Sequence, residues 1–477
     1  MDIVTLLTSF ARALFELSED FYANPDQFFR IEKLVADLSK QTAADFLSLI
    51  LTEMDDLIRD SQIRKERFNV QRKRSRTLIT TVGDVHYMRT LFQDLEDGTV
   101  RCLLDELIKL PEHERFSSQA EAKVLYEAEV HSYQHAADSL QIGNQKISKV
   151  AVMNKVHAVT QELPEPVPTT LKKCRYLYIE ADEDHIHGQQ NGQPSCGMIG
   201  KLIYLYEGKE DVCAGKRMLL SPHYLGGLYT GSVQNQALWE EVQKYIESHY
   251  DTRYIKQIYI SGDGASWIKA GIDYVDKAVL VQDRFHLMKY INRVSNLMLD
   301  DANAVKGKFY KYIYKNKPKK MRKLLGKIRK CTGRDSLISE TESYILGNWE
   351  AIQRAFHDKN VLGCSAEGHV SNIYSERMSS RPMGWSETGS DRMCRLRCYV
   401  KNYGADKIID LVEYRRRKLM EELPATGTDG LVEIEAAKRM LTSEQRRTMS
   451  YIERLQATIP GRTVRKTIAI RTHLNDL

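Results

Sequence analysis

The residues of this chain best suited to chemistry are carboxylates at the downstream ends of apolar runs. In YLYIEADEDHIH (176–187) a string of acids follows an apolar stretch, at positions that a packed core would disfavour. With the two-residue period of a strand, Glu180, Asp182 and Asp184 share one face while Glu183 points away. In IYISGDGASWI, Asp263 directly follows a second apolar run, between glycines that let a ligand or metal approach the backbone. Open α/β sheets gather their active sites at the carboxyl ends of strands. Asp182 and Asp263 are therefore expected to meet there, across the 81 residues (263 − 182) between them. Either aspartate by itself reads as a cap or a turn residue; the two together point to a metal site.

Two divalent ions are best held by three acids, and such a pair can activate a nucleophile and stabilise a leaving oxygen at phosphorus. Glu367, in GCSAEGHVSNIYSERM, falls in the first turn of a predicted helix and is the candidate third carboxylate. Glu376 lies about two and a half turns further on, so it faces elsewhere, and beside Arg377 it reads as half of a local ion pair. Asp283 and His286, in DRFHLMKY, stand three apart at a strand-to-helix transition. On spacing alone they are a capping aspartate and a helix-face histidine. His185 and His187 fall on one face with no cysteine nearby, which argues against zinc.

The elements that must position these groups follow from periodicity. RYLYIEAD, KLIYLYEG and KRMLLSPHYL read as three successive strands. QALWEEVQKYIESHY is then a helix, KQIYISGD a strand, SWIKAGIDYV a helix, AVLVQD a strand and RFHLMKYINRVSNLML a helix. That succession is the order of an RNase H-like α/β core. The lysine-rich helical block at 300–360 would be an insertion before the last core helix, AEGHVSNIYSERM. LPEPVPTT (163–170), with three prolines, cannot continue a helix and marks a boundary. The expected division is a helical region with a basic linker at 1–75, a hairpin around Gly83 plus a DNA-binding region at 76–162, and core at 171–299. The insertion at 300–360, core again at 361–416 and a helical tail at 417–477 complete it.

SYQHAADSLQIGNQKISKVAVMNKVHAV (132–159) has the layout of a helix-turn-helix. Tyr133, Ala136, Ala137 and Leu140 share a first face, Gly143 and Asn144 supply the turn, and Ser148 can cap the second helix. Ile147, Val150, Val152 and Val156 are expected to pack inward. Ser148, Lys149, Met153, Asn154 and Lys155 would face the groove. A glycine-linked helix pair without DNA is the plainer alternative.

Between Lys306 and Arg334 there are thirteen Lys or Arg and no acid, interleaved with Phe309, Tyr310, Tyr312 and Tyr314. Basic groups neutralise phosphates and aromatics stack on bases, so nucleic acid is the expected partner of this stretch. RKERFNVQRKRSR (64–76) reads equally as a phosphate contact or a solvated linker. Arg377, Arg381, Arg392, Arg395 and Arg397 surround a loop with Pro382, Gly384 and Trp385, where arginine forks suit phosphates and tryptophan suits a base or the core.

The chain has 477 residues, 42% of them hydrophobic and 28% charged, with a net charge of +6, so two or three folded units are expected. Its eight cysteines contain no CxxC pair, as in a reduced cytoplasmic protein. No run of about 18 apolar residues suggests a membrane span. The opening MDIVTLLTSFARALFELSEDF carries acids and no basic leader, and is expected to form an amphipathic helix.

The set YIEADEDH, ISGDGASWI, DRFHLMKY and GCSAEGHVSNIYSERMSSRPMGWS closely resembles the ISLre-type bacterial insertion-sequence transposases, relatives of the Mutator-type enzymes. The resemblance covers essentially the whole chain. It implies an RNase H-like core interrupted by an all-helical insertion, with Mg²⁺ (or Mn²⁺) as the ion, two per site. Carried onto this sequence, it makes Asp182, Asp263 and Glu367 the catalytic and metal-holding triad, with Asp184 and Asp283 as alternates. Asp283-Arg284-Phe285-His286 looks like the Cys/Asp-x-x-His signature of Mutator-type relatives, which implies that His286 neighbours the active site. The implied partners are double-stranded DNA, as terminal inverted repeats and target, and further copies of the chain in a synaptic complex. A DNA-binding repressor without catalysis and a cellular nuclease or resolvase on the same core are the rival readings.

Overall fold

The computed structural model describes residues 2–140, 146–160, 162–190, 193–213, 216–380 and 383–421. Within these the chain divides into two compact units, one of residues up to 128 with 132–152 and 409–421, the other of 129–131 with 153–408. No described helix is long and apolar enough to cross a membrane.

The first unit opens with α1 (Ile3–Ala23), capped by the Asp2 carboxylate on the Thr5 amide, and the long α2 (Phe28–Asp60). After α3 (Gln62–Arg67), β1 (Phe68–Thr80) and β2 (Gly83–Asp94) form one antiparallel ribbon, to which β3 (Val100–Arg101) and α4 (Leu103–Leu107) are added. The ribbon corrects two expectations. It is far longer than a short hairpin around Gly83, and a boundary at residue 75 would cut β1 in two. The basic stretch 64–76 is therefore not a linker. Arg67 pairs with Asp94 at 3.0 Å, Arg76 with Asp105 at 2.5 Å, and Arg72, Lys73 and Arg74 lie on the exposed part of β1. α2 is fastened to the ribbon by buried Asp55, which accepts from the Thr90 amide at 2.7 Å and its hydroxyl at 2.6 Å. Ala44, Ile58, Phe68, Val85, Phe92 and Leu104 form the core beneath. Next in the chain come α5 (Ser118–Val130), α6 (Tyr133–Ser139) and α7 (Lys149–His157).

The second unit is built on a five-stranded sheet. β5 (Gln193–Tyr206) runs antiparallel to both of its neighbours, β4 (Tyr176–Gln190) and β8 (His223–Leu228). β6 (Gly208–Cys213) and β7 (Lys216–Leu220) form a separate hairpin between β5 and β8. KRMLLSPHYL is thus two strands, broken at Ser221, whose φ of 49° a continuous strand cannot contain. α8 (Gly231–His249) leads to β9 (Gln257–Gly262), and the short α9 (Ser266–Lys269) to β10 (Ala278–Gln282). β9 is parallel to β4, and β10 to β9, giving the order β10-β9-β4-β5-β8.

Alternation along these strands divides the sheet cleanly. Leu177, Ile179, Ala181, Ile203 and Leu205 face the α8 side and pack with Trp239, Val242 and Ile246. The other face is a layer of tyrosines. Tyr178 stacks on Tyr206 at 5.4 Å and on Tyr259 at 5.6 Å, and Tyr204 lies 5.3 Å from Tyr224. Glu180 sits within that layer.

α10 (Arg284–Ser295) follows β10 and leads to α11 (Ala302–Tyr314), α12 (Pro318–Thr332), α13 (Asp335–Gly347) and α14 (Trp349–His357). Leu287, Ile291 and Val294 of α10 join Phe309, Leu325 and Ile345 in one core, so this helical block is rooted on α10. α15 (Ala366–Val370) runs through a π-helical turn at Ser371–Ser375 into α16 (Glu376–Met378). α17 (Glu387–Tyr403) packs on β8, and the chain continues into α18 (Ile408–Glu421).

Candidate active site where the parallel strand pairing stops

Register alone aligns the acids. Glu180 pairs with Ser261, so Asp182 and Asp263 each stand two residues past the same rung of β4 and β9. Gln282 pairs with Gly262, which makes Asp283 the counterpart of Asp263 on β10. The Asp283 amide extends that ladder by donating to the Gly262 carbonyl at 2.9 Å. Three aspartates thus occupy equivalent positions where the parallel pairing of three neighbouring strands stops, Asp263 and Asp283 just past β9 and β10 and Asp182 within β4, which runs on beside β5.

Each is pinned locally in the same manner. Asp182 Oδ1 accepts from the Glu183 amide at 2.9 Å, Asp263 Oδ1 from the Ala265 amide at 2.8 Å and Asp283 Oδ1 from the Phe285 amide at 3.0 Å. The second oxygen of Asp283 meets His286 Nδ1 at 2.7 Å. Asp182 and Asp263 keep their Oδ2 atoms without a hydrogen-bond partner among the described residues. Burial pushes the Asp182 carboxyl up to about 6; the Glu183 amide and His286 oppose the rise, and the Asp263 charge adds to it. His286 is shifted upward, first by its hydrogen bond to Asp283, against burial, and then by the charges of Asp283, Asp182 and Asp263. These four side chains form one electrostatic unit. Their ligand atoms are not gathered round a point: no three of them lie within 4.8 Å of one another.

Gln282, buried at 3% exposure, braces the centre by donating to the Asp263 carbonyl at 2.8 Å and to Tyr344 Oη at 2.6 Å. Gly264 has φ of 93°, and a Cβ there would lie 3.0 Å from both Asn348 Nδ2 and Gln282 Oε1. Gly264→Ala is accordingly expected to cost about 1–3 kcal/mol, read as a lowered melting temperature relative to wild type.

Glu367 forms no group of three ligand atoms within 4.8 Å with the aspartates among the described residues. Its side chain is 56% exposed and lies 3.9 Å from Lys289, one turn along α10 from His286. Asp184 Oδ2 accepts from Ser379 Oγ at 2.8 Å, and Glu183 turns to the opposite face, where Trp267 Nε1 donates to it at 2.8 Å. His185 and His187 are both exposed.

Glu180, whose role was not anticipated, is 1% exposed. It accepts from Tyr204, from Tyr206 Oη at 2.6 Å, from Lys209 Nζ at 3.0 Å and from the Ser365 amide at 2.5 Å. Burial works against its charge, but Lys209, both tyrosines and the Ser365 amide outweigh it and hold the carboxyl below its ordinary range. The segment that opens α15, and hence carries Glu367, is tied to the sheet at this point.

The residues expected to meet DNA fare unevenly. Ser148, Lys149 and Asn154 are exposed and Lys155 is half-buried; Ser148 Oγ accepts from the Ala151 amide at 3.2 Å, as a cap should. Val150, expected inside, is 50% exposed, while Ile147, Val152 and Val156 are buried. The expected turn at Gly143 and Asn144 lies outside the described residues, as do Arg381 and the tail from 422. Arg377 is corrected: it is buried, with its guanidinium over the Trp385 ring at 4.9 Å, so it is not a DNA-facing group. Arg395 is likewise buried against Asp391 at 3.2 Å, and Arg397 pairs with Glu129 at 2.8 Å. Trp385 is core, with Nε1 donating to the Met378 carbonyl at 3.1 Å.

Comparison with known proteins places this geometry in context. Uncharacterised protein family (UPF0236) matches residues 25–416. A UPF0236 protein of Caldanaerobacter subterraneus subsp. tengcongensis is 32% identical over 440 residues, 91% of this chain and 90% of its own length. A second from the same organism is 32% identical over 380 residues, 78% of this chain and 79% of its own. The match runs through β4, β9, β10 and α15 alike, and the chain belongs to the UPF0236 family.

Proposed function

We propose that this protein is an insertion-sequence transposase of the ISLre type, with an RNase H-like catalytic core and a helix-turn-helix over 132–159. The observation that carries the reading is the shared register of Asp182 and Asp263 just beyond the last parallel rung of β4 and β9, with Asp283 and His286 beside them. The strand order, three antiparallel and then two parallel to the first, supports the same core. Further support comes from a relative whose single name joins eleven designations within one organism. Repeated copies of one coding sequence are what a self-moving element leaves behind.

The donor set suits hard divalent ions, which take oxygen ligands. Asp182 and Asp263 offer free Oδ2 atoms, and a cation would relieve the burial that raises the Asp182 carboxyl. Glu367 would complete the set once it leaves Lys289. Two Mg²⁺ (or Mn²⁺) ions, when bound, would supply Lewis acidity at phosphorus and a deprotonated nucleophile. His286, fixed by Asp283 through Nδ1, presents Nε2 to a phosphate oxygen. Hydrolysis at the element's ends frees 3′-hydroxyls, which attack target DNA in the same site. The substrate is double-stranded DNA, the working form a homo-oligomer on the inverted repeats, and the setting the bacterial cytoplasm at the nucleoid.

The test is incubation of the protein with labelled DNA carrying the element's own ends and Mg²⁺ or Mn²⁺, beside Asp263→Asn. Nicking at the ends that disappears in the variant is the expected result. Tight binding without nicking under either metal would instead favour a DNA-binding repressor, a reading that the Lys289–Glu367 pair also suits.

A further inference from the structure

The helical block rooted on α10 carries a charge pattern that the catalytic reading leaves unused. In α12, Met321, Leu324, Leu325 and Ile328 are buried, and Lys319, Lys323, Lys327 and Lys330 lie exposed at spacings of four, four and three. Those spacings put the four ammonium groups in one stripe along the helix, about 16 Å long. The two arginines of α12 have an acidic partner: Arg322 and Arg329 both reach Glu342, at 3.3 and 2.9 Å. None of the four lysines has a carboxylate within salt-bridge reach among the described residues. On α11 the exposed Lys308 and Lys311, with Lys315 just past its end, repeat the pattern opposite buried Val305, Phe309 and Ile313.

A row of unpaired cations on a helix whose other face is firmly packed raises the free energy of the protein alone. It is relieved by a partner with closely spaced negative charge. Duplex DNA carries one charge per about 1.7 Å of axis, so the stripe can neutralise several phosphates at once. Lysine, a flexible point charge, suits such contacts without reading bases.

We propose that the exposed lysine stripe of α12 is a sequence-independent track for the phosphate backbone of duplex DNA. The proposal rests on DNA being the substrate, and it deepens that reading by naming a surface away from the carboxylates.

The experiment measures binding of the full chain to a short duplex of arbitrary sequence, in EDTA, between about 50 and 200 mM salt. Wild type is compared with Lys319→Gln, Lys323→Gln, Lys327→Gln and Lys330→Gln combined, and with the same four changed to Arg. The slope of log affinity against log salt is expected to shrink by about 3.6 in the Gln variant, four charges at about 0.9 each, and to be kept in the Arg variant. An unchanged slope in a Gln variant that melts like wild type overturns the proposal. So does a loss confined to single-stranded RNA or to anionic phosphatidylserine vesicles assayed in parallel. Because this binding is measured without divalent ion, failed nicking by wild type in the separate Mg²⁺ or Mn²⁺ assay would sink the catalytic reading and leave this surface standing. An unchanged slope beside intact nicking would do the reverse.

Discussion

Asp182→Asn is expected to abolish metal-dependent cleavage, by on the order of a thousandfold or more, while making the ion-free protein more stable. The two effects share one cause. The Asp182 carboxyl is pushed up to about 6 because burial, with the Asp263 charge adding to it, disfavours its ionised form. A carboxyl raised above its unfolded value destabilises the fold at any pH above the folded value. That penalty shrinks as pH falls through about 6 and is gone below the ordinary aspartate range, near 4. Asparagine removes the charge and still offers an oxygen to the Glu183 amide. At neutral pH the gain is on the order of 1–3 kcal/mol, a rise of several degrees in melting temperature. Adding Mg²⁺ should then stabilise wild type and leave the variant nearly unmoved. A variant that melts lower than wild type in EDTA, or that still nicks, would show that Asp182 is not a strained ligand.

Glu180→Ala is the second large effect, and it falls on folding. Removing the carboxylate leaves Lys209, whose side chain is 7% exposed, buried without a counter-charge, and strips two tyrosine hydroxyls and the Ser365 amide of their acceptor. Breaking one side of a buried ion pair costs about 3–5 kcal/mol. Glu180→Gln keeps the acceptor and loses only the charge, so it should fall between wild type and alanine in urea melts. The pH dependence has the opposite sign to that of Asp182. The Glu180 carboxyl is held below its ordinary range, so its contribution is fully present above the unfolded value and is lost as acid takes pH through the folded one. Equal stability of Glu180→Ala and wild type at neutral pH would remove the network from any structural role.

The two aspartates and their sheet were legible because strand period and flanking glycines act within a few residues. Setting Asp182 and Asp263 at one register on neighbouring strands needs only strand period and sheet order. Glu180 was counted with them by period, yet its partners at 204, 206, 209 and 365 lie as far as 185 residues away, and no local pattern joins them. The ribbon was misjudged for a different reason. Residues 69–75 of β1 are exposed on both faces, so they have no hydrophobic alternation to announce a strand. Arg377, Arg395 and Arg397 read as phosphate contacts in sequence because the planar arginine fork suits phosphates. Their carbonyl, carboxylate and ring partners appear only once α15 to α17 are packed. Glu367 was placed correctly in the first turn of a helix, but sequence gives no direction for that helix relative to the sheet.

The block from α11 to α14 bears on modularity. Its boundaries in sequence suggest a cassette that could be excised, leaving a smaller protein. Its core says otherwise, since Leu287, Ile291 and Val294 of α10 are covered by that block. Deletion would uncover an apolar stripe on the same helix whose first turn presents His286. A miniaturised version would therefore require that stripe to be redesigned as surface, and lineages that shorten the block should carry polar residues at those three positions.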